Sequence, residues 1–483
     1  MAGFTLYTGN RLERLARELA SRTRLRAGDP FTPEIVVIQS RGMERWLALE
    51  IAQHSGIAAN LVFPFPETFL QSVIEGLLPD VKNETPIQRA AMVFGIFASL
   101  PRLIETNPSF DPLRDYLRGD DSGLKRIQLA EQISQLFDQY LVFRPDMISA
   151  WDTGQAGGDT SHHAWQAALW RDLIRRMDGK PHRARLWKQL LEALHRGSVP
   201  LEKLPQRVSV FGISYLPPFY LQALVALSAV MTVDLYQLNP CREFWADIVS
   251  QREENRLRRP GSENTSIIAD EDLHREEGNR LLASMGNQGR TFHRLIGEFD
   301  MPIMDDFQLN PAKTLLAAIQ NDILLLKNHP PDDKPYFDAD PSDRSVQIHA
   351  CHGPMREIEV LYDQLLDLLN TDADLEPRDI MVLTPDIESY TPYIQAVFGA
   401  PEDGALRMPF SIADRGPMAY NPVVEAFFFL LTLNQARLLV SEILNLLEVP
   451  AVRSRFDLVD EDIHLIRQWI SETRICWGAD AAA

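Results

Sequence analysis

The stretch Glu34–Leu70 (EIVVIQSRGMERWLALEIAQHSGIAANLVFPFPETFL) constrains the fold more than any other part of this chain. Ile35–Ile38 is a short, apolar, β-branched run of the kind that forms a buried strand. A polar turn follows at Gln39-Ser40-Arg41-Gly42. A helical pattern then carries Trp46, Leu47, Leu49 and Ile51, and Ala59–Phe65 is a second strand-like run. Strand, tight turn and helix is the frame in which a nucleotide-binding domain holds its phosphate loop. That loop needs glycines so that backbone N–H groups surround the phosphates, a Lys to reach the outer ones, and a Ser or Thr for the metal. Here the turn has one Gly and no Lys. The frame is present without its phosphate chemistry.

The rest of the chain repeats this frame around a helical block. Asn10–Arg22 is helical, with Leu12, Leu15, Ala16 and Leu19 at apolar positions and Asn10 as the expected N-cap. From Pro86 to Leu204 the periodicity is almost wholly helical, so this block reads as an insertion between two pieces of a sheet. Strand character returns at Arg207–Phe211 and Met231–Tyr236, separated by a helix at Phe219–Val230, a rhythm that indicates a parallel α/β sheet. Glu253–Asn279 is charged and weakly periodic, which predicts a surface excursion, and Lys327–Asp343 is a Pro- and Asp-rich linker. A second α/β unit is expected from strands at Ser345–Cys351 and Asp379–Leu383 with helices at Met355–Leu369 and Tyr390–Phe398. The expected organisation is a first α/β domain over 1–80 and 204–330, a helical insertion over 81–203, and a linker over 331–344. A second α/β domain over 345–420 and the start of a helical domain over 421–483 complete it.

Charge and cysteine content narrow the function. The net charge of −19 opposes general phosphate binding. The imbalance is uneven, however: Arg175, Arg176, Lys180, Arg183, Arg185, Lys188, Arg196 and Lys203 fall between Arg171 and Arg207. A basic groove lining and a set of solvated helix faces both accommodate this run. Three distant cysteines exclude a Cys-rich zinc module and indicate a reducing compartment. With no signal-type opening and no membrane-length apolar run, a cytoplasmic protein is expected.

Catalytic patterns are not found. Asp338, Asp340 and Asp343 lie in the linker without the Glu-x-Lys partner that a metal-dependent nuclease needs. His349-Ala350-Cys351-His352 resembles a ligand cluster, but on a strand His349 and Cys351 face away from His352, so no metal site is expected. No nucleophile–base arrangement stands out.

The segments VIQSRGMERWL, GIAANLVFPFP, LFDQYLVFRPD, VFGISYLPPFYLQAL, CHGPMREIEVLYDQLL and RDIMVLTPDIESYTPYIQAVFG occur in an order that resembles the front portion of the RecC family, the gamma subunits of exodeoxyribonuclease V. The layout is also that of a superfamily 1 helicase core: two helicase-like (P-loop NTPase-like, RecA-type) parallel-sheet domains, the first interrupted by helices. In related helicase-like proteins an acid precedes the Gly at the end of a neighbouring strand, whereas here Phe211 precedes Gly212, and Phe cannot hold magnesium. The resemblance therefore implies an inactive helicase architecture without cofactor, ATP and Mg being bound by partner chains. It implies a non-catalytic subunit of a helicase–nuclease heterotrimer for double-strand break repair, with RecB-type and RecD-type partners. Such a subunit guides single-stranded DNA and recognises the Chi hotspot.

Carried over by motif context, the DNA-binding positions are Gln39 (VIQS), Leu136, Asp138 and Arg144 (LFDQYLVFRPD) and Arg183 (PHRA), with Arg41, Arg45 and Phe65 beside them. Their chemistry suits base reading: Arg pairs with guanine, Gln with adenine, and Asp accepts from cytosine. The sequence departs from the family pattern at Arg41, Arg45, Phe65, Gln71 and Gln135, and Gln71 replaces an aromatic that would stack on a base. A protein–protein scaffold without DNA contact, and an active ATP-dependent helicase, are the rival readings.

Overall fold

The computed structural model describes residues 3–24, 31–78, 87–120, 122–155, 161–197, 200–250, 252, 278–329, 337–399, 408–413, 421–433 and 436–478. The chain divides into two compact units, Met1–Val346 and Gln347–Ala483. The first opens with β1 (Gly3–Gly9), α1 (Leu12–Arg24), β2 (Glu34–Val37), α2 (Arg41–Ser55), β3 (Leu61–Val62) and α3 (Pro66–Leu77). Six helices follow: α4 (Arg89–Thr106), α5 (Asp111–Tyr116), α6 (Leu124–Phe143), α7 (Pro145–Asp152), α8 (Ser161–Arg176) and α9 (Arg183–Arg196). The chain then returns to β4 (Arg207–Phe211), α10 (Pro218–Leu227), β5 (Thr232–Leu238), α11 (Arg280–Met285), α12 (Asn287–Gly297), β6 (Ile303–Asp306) and α13 (Leu315–Leu324).

The strands form one six-stranded sheet in the order β3-β2-β4-β5-β1-β6. Every pairing is parallel, with Val36 opposite Ser209 and Leu235 opposite both Leu6 and Val210. Alternation along β4 and β5 sends side chains to two different cores. Val208, Val210, Val233 and Leu235 pack with α3, α9 and α10. Phe211 and Tyr236 face the other way and pack with α1 and α2. A side chain of this size buried on either face contributes about 1.5–3 kcal/mol of transfer free energy, and burial on both faces is what an all-parallel sheet requires.

The two helical layers fix where the sheet can bind something. The chain leaving β2 runs outward to β3 through α2 on one face, whereas the chain leaving β4 runs the opposite way to β5 through α10 on the other face. Crossovers between parallel strands are right-handed, so reversing direction means changing face. The neighbours β2 and β4 therefore flank a topological switch point, the place beyond the strands' carboxyl ends where open α/β sheets bind their ligands. At the other end, Arg207 pairs with Glu34 at 2.8 Å and Arg22 reaches the fully buried Asp234 at 3.4 Å, tying α1 to the amino ends of three strands.

Helices α4 and α6 to α9 share a core of their own around Phe110, Phe137, Trp151 and Trp170. Phe137 meets Trp170 edge-on at 5.4 Å, an arrangement that adds about 0.5–1.5 kcal/mol beyond area burial. Helix α9 belongs to both cores, with Ala184 in the helical one and Leu186, Trp187 and Leu190 in the sheet core.

Asn10 does not cap α1. Its side-chain amide is held by the Gln308 backbone instead, donating to the carbonyl at 2.8 Å and accepting from the N–H at 2.9 Å. The strand expected at Ala59–Phe65 is paired only over Leu61–Val62. Most of the expected surface excursion Glu253–Asn279, namely 253–277, lies outside the described residues, as do 330–336 of the linker.

The second unit contains α14 (Pro354–Thr371), α15 (Ile387–Gly399), α16 (Pro422–Thr432), α17 (Val440–Glu448), α18 (Pro450–Arg455) and α19 (Asp460–Thr473). Ile358, Leu365, Phe398 and Met408 form its small core. The second parallel sheet is not formed among the described residues. Ser345–Cys351 runs as irregular chain, and Asp379–Leu383 begins as a short 3-10 turn at Pro377–Asp379 and continues without a strand. Ile348, Met381 and Leu383 are 93%, 81% and 85% exposed, and among the described residues no strand pairs with either run.

Candidate nucleic-acid interface

Gln39, Arg41 and Phe65 follow the carboxyl ends of the adjacent strands β2 and β3. Gln39 follows β2, and its Oε1 accepts from the Ser214 N–H and hydroxyl, each at 3.4 Å, beyond the end of β4. Phe65 follows β3 at the start of α3 and is 36% exposed. The Arg41 guanidinium lies over its ring, 5.4 Å from the centroid, while pairing with Glu44 at 2.6 Å. Arg45 lies one turn further along α2 and is exposed.

The turn between β2 and α2 has a simple local cause. The Ser40 hydroxyl accepts the Met43 N–H at 3.2 Å and caps the helix. Gly42 sits inside the first turn of α2, and a Cβ there would meet nothing nearer than Ser40 Oγ at 3.8 Å. A tight glycine-lined cradle is therefore not built at this turn. At the end of β4, Phe211 is fully buried, 5.8 Å from the Tyr236 ring and 6.2 Å from Trp46. Gly212 follows with φ of 62°, a left-handed conformation that favours glycine, and the tip of the Met43 side chain packs against it.

Arg183 is the centre of the charged part of the site. Its Nη2 lies 2.7 Å from Glu67 Oε1, and its Nη1 lies 3.6 Å from Asp138 Oδ1. One guanidinium thus joins α3, α6 and α9. The Tyr220 phenol of α10 stands in the same field. Burial pushes its pKa up to about 12, the charges of Glu67 and Asp138 add to the rise, and Arg183 opposes them.

Helix α9 starts at Arg183 because His182 caps it. His182 Nδ1 accepts the Arg185 N–H at 3.3 Å, so the ring proton lies on Nε2 and donates to Asp152 Oδ2 at 2.7 Å. The Trp170 indole donates to the other carboxylate oxygen at 2.9 Å. Burial pushes the Asp152 carboxyl up, but the hydrogen bonds from His182 and Trp170 and the charge of Arg185 outweigh it and hold the group below the ordinary carboxylate range.

The remaining proposed readers stand apart from this network. Arg144 is exposed at the joint of α6 and α7, its N–H donating to Tyr140 and its carbonyl accepting from Ile148. Asp138 pairs with Arg183 and not with Arg144. Leu136 is half-buried on α6, and the Gln71 amide donates to Glu75 at 2.8 Å on its own helix. Sequence reasoning missed Glu67, Tyr220 and His182. Glu67 carried one readable signal, an acid in the first turn after FPFP, where a helix N-terminus favours it.

Much of the basic run between Arg171 and Arg207 is locally neutralised. Arg102, Arg175 and Arg176 converge on the buried Asp172, Arg196 pairs with Glu192, and Arg207 with Glu34. Among the described residues no group of three or more His, Cys, Asp and Glu side chains is placed to hold a metal ion.

Residues 4–326 match the model of the RecC N-terminal domain, and residues 420–483 match that of the fourth domain of the RecBCD enzyme subunit RecC. The chain is 39% identical to the RecBCD enzyme subunit RecC of Escherichia coli (strain K12), over 98% of this chain and 45% of that protein. It is 34% identical to the RecC subunit of Haemophilus influenzae over 98% of this chain and 46% of that protein, and 32% identical to that of Mycolicibacterium smegmatis over 98% and 43%. The chain thus spans about half the length of the relatives it matches. With the N-terminal match covering well over half of its residues, the chain belongs to the RecC family.

Proposed function

We propose that this chain is the front portion of a non-catalytic, helicase-like DNA-binding subunit of a helicase–nuclease complex for double-strand break repair and recombination. In this reading it works in the cytoplasm with RecB-type and RecD-type partners, guides single-stranded DNA and recognises the Chi hotspot. The observation that carries the reading is the set of base-reading side chains at the carboxyl edge of the sheet. Gln39, Arg41 and Phe65 stand at the ends of adjacent strands, and Arg183 and Asp138 are joined through one guanidinium. Phe65 offers a stacking surface, Gln39 and Arg183 offer hydrogen bonds, and Arg41 supplies a cation near the backbone path. Leu136, Arg45 and Arg144 are carried in this reading by their motif contexts alone. No helix among the described residues is long and apolar enough to cross a membrane.

The motor and the nuclease belong, in this reading, to the partner chains. Ser40 is committed to capping α2, Gly42 has no cradle around it, and Phe211 occupies the place of a metal-holding acid. The chain without partners is therefore expected to show no DNA-stimulated ATP hydrolysis.

Photocrosslinking of this chain to a tailed duplex, with and without partner subunits, tests the proposal. Crosslinks from the single-stranded tail to peptides containing Gln39, Phe65 or Arg183 are the expected result. Complex formation without any such crosslink would make the chain a protein–protein scaffold. That outcome has its own support in the net charge of −19 and the internally paired arginines of α8 and α9.

A further inference from the structure

We propose that Glu67 is a specificity-determining residue of the DNA site, holding Arg183 away from phosphate and releasing it only to a base edge. The inference rests on the reading of this region as a single-strand site. It concerns a residue that neither the sequence motifs nor the family match assigns.

The geometry carries the argument. Of the two acids on Arg183, Glu67 is the nearer, at 2.7 Å against 3.6 Å for Asp138. The acids take different terminal nitrogens, so both tips of the guanidinium fork are engaged. Glu67 is also the most accessible of the three, with its side chain 57% exposed against 30% for Arg183 and 34% for Asp138. It is therefore the contact an incoming strand reaches first.

The charges decide what the strand can offer. Two carboxylates around one guanidinium leave the cluster with a net negative charge, so a phosphate gains nothing by approaching it. Taking Arg183 for a phosphate would also strand Glu67 beside an anion. A base edge carries no net charge and can exchange hydrogen bonds with both partners. Guanine alone offers two adjoining acceptors, O6 and N7, for a guanidinium, together with two adjoining donors, N1–H and N2–H, for a carboxylate. When Arg183 turns onto such an edge, Glu67 keeps a donor partner in place of the one it gives up. Thymine, with a single ring N–H and no amine, satisfies the carboxylate poorly. The raised Tyr220 phenol keeps its proton beside the cluster and adds a neutral donor. Nearby, Arg41 over Phe65 supplies the cation and ring on which the rest of the nucleotide can rest.

The test uses the assembled complex carrying E67Q, which keeps the shape and an oxygen facing Arg183 but removes the charge. Binding of two single-stranded oligonucleotides, one all-thymine and one with interspersed guanines, is titrated over a salt series. The expected result is tighter binding of the thymine strand and a smaller preference for the guanine strand. The dependence of log affinity on log salt should steepen by about 0.7, the change for one added phosphate contact on a single strand. E67D, which keeps the charge, should retain most of the guanine preference, a rescue that a merely structural role would not produce. R183A serves as the reference for the site itself. If R183A weakens binding while E67Q changes neither preference nor slope, Glu67 is a rim salt bridge and the proposal is overturned. If R183A leaves binding and preference as they were, this cluster is not the DNA site, and both readings fall together.

Discussion

β4 in the first unit and Asp379–Leu383 in the second are both five-residue runs that start on a charge and are then mostly apolar, RVSVF and DIMVL, yet only one is a strand. In β4, Val208, Val210 and Phe211 are fully buried, with β2 and β5 paired on either side. In the second unit Met381, Val382 and Leu383 are 81%, 52% and 85% exposed. Local composition states that a run is suited to a pleated, half-buried surface; it does not supply the neighbour that makes the surface. The first unit contains its own neighbours, because α2 returns the chain from β2 to the adjacent β3 and α10 returns it from β4 to the adjacent β5. Among the described residues the second unit has helices α14 and α15 packed together and no strand to pair with either run.

The sharpest way to break this contrast is a matched pair of truncations. Phe211→Ala removes a fully buried ring shared by Tyr236 and Trp46 and should cost about 3–5 kcal/mol in denaturant unfolding. Leu383→Ala should stay within about 0.5 kcal/mol, as exposed positions do. Similar losses at the two sites would mean that Leu383 is buried after all. A second measurement is amide hydrogen exchange. Backbone N–H groups of β4 and β5 should be among the slowest in the chain, and those of Met381 to Leu383 among the fastest. Slow exchange at Met381 to Leu383 would show that a partner strand does cover them.

Smaller effects sharpen the picture within the first unit. His182→Ala removes the cap of α9 together with a buried ring bonded to Asp152 and should cost about 1–3 kcal/mol, loosening the helix start that presents Arg183. The bond from His182 also gives the first unit an acid limb. The Asp152 carboxyl sits lower in the fold than in the unfolded chain, so between the two values the unfolded state binds more protons. The stability it contributes is complete above the ordinary carboxylate value, about 3.9, and is lost as pH falls through the lower folded value. Asp152→Asn should flatten that part of the stability–pH curve. An unchanged acid limb would assign it to other carboxylates, such as Asp172, which burial pushes up but Ser99, Arg102 and Arg176 together hold below its ordinary range.

Some of the candidate site was legible from single residues, and its connections were not. Arg183, Asp138 and Gln39 were identified from their motif contexts, but what each touches lies far away in the chain. A local partner for Asp138 was available in Arg144, yet the structure uses Arg183. Asn10 shows the same rule in reverse. As a residue before a helix it has the right chemistry for a cap, and a distant backbone, Gln308, takes its amide instead. Glu67 was legible as an acid in the first turn of a helix, but that position has an ordinary explanation and gives no sign of Arg183.

From the linear chain alone came the alternation of strand, turn and helix in the first unit, the helical block within it, and the lack of a phosphate loop at Ser40-Arg41-Gly42. Each of these depends on residues within a few positions of one another, where periodicity, capping and turn chemistry act. The tertiary structure decided which runs became strands, because a ladder needs a partner and the partner is remote in sequence. It also decided that Glu67, Asp138 and Arg183 meet, because an ion pair forms only where packing of three separate helices brings the charges within reach.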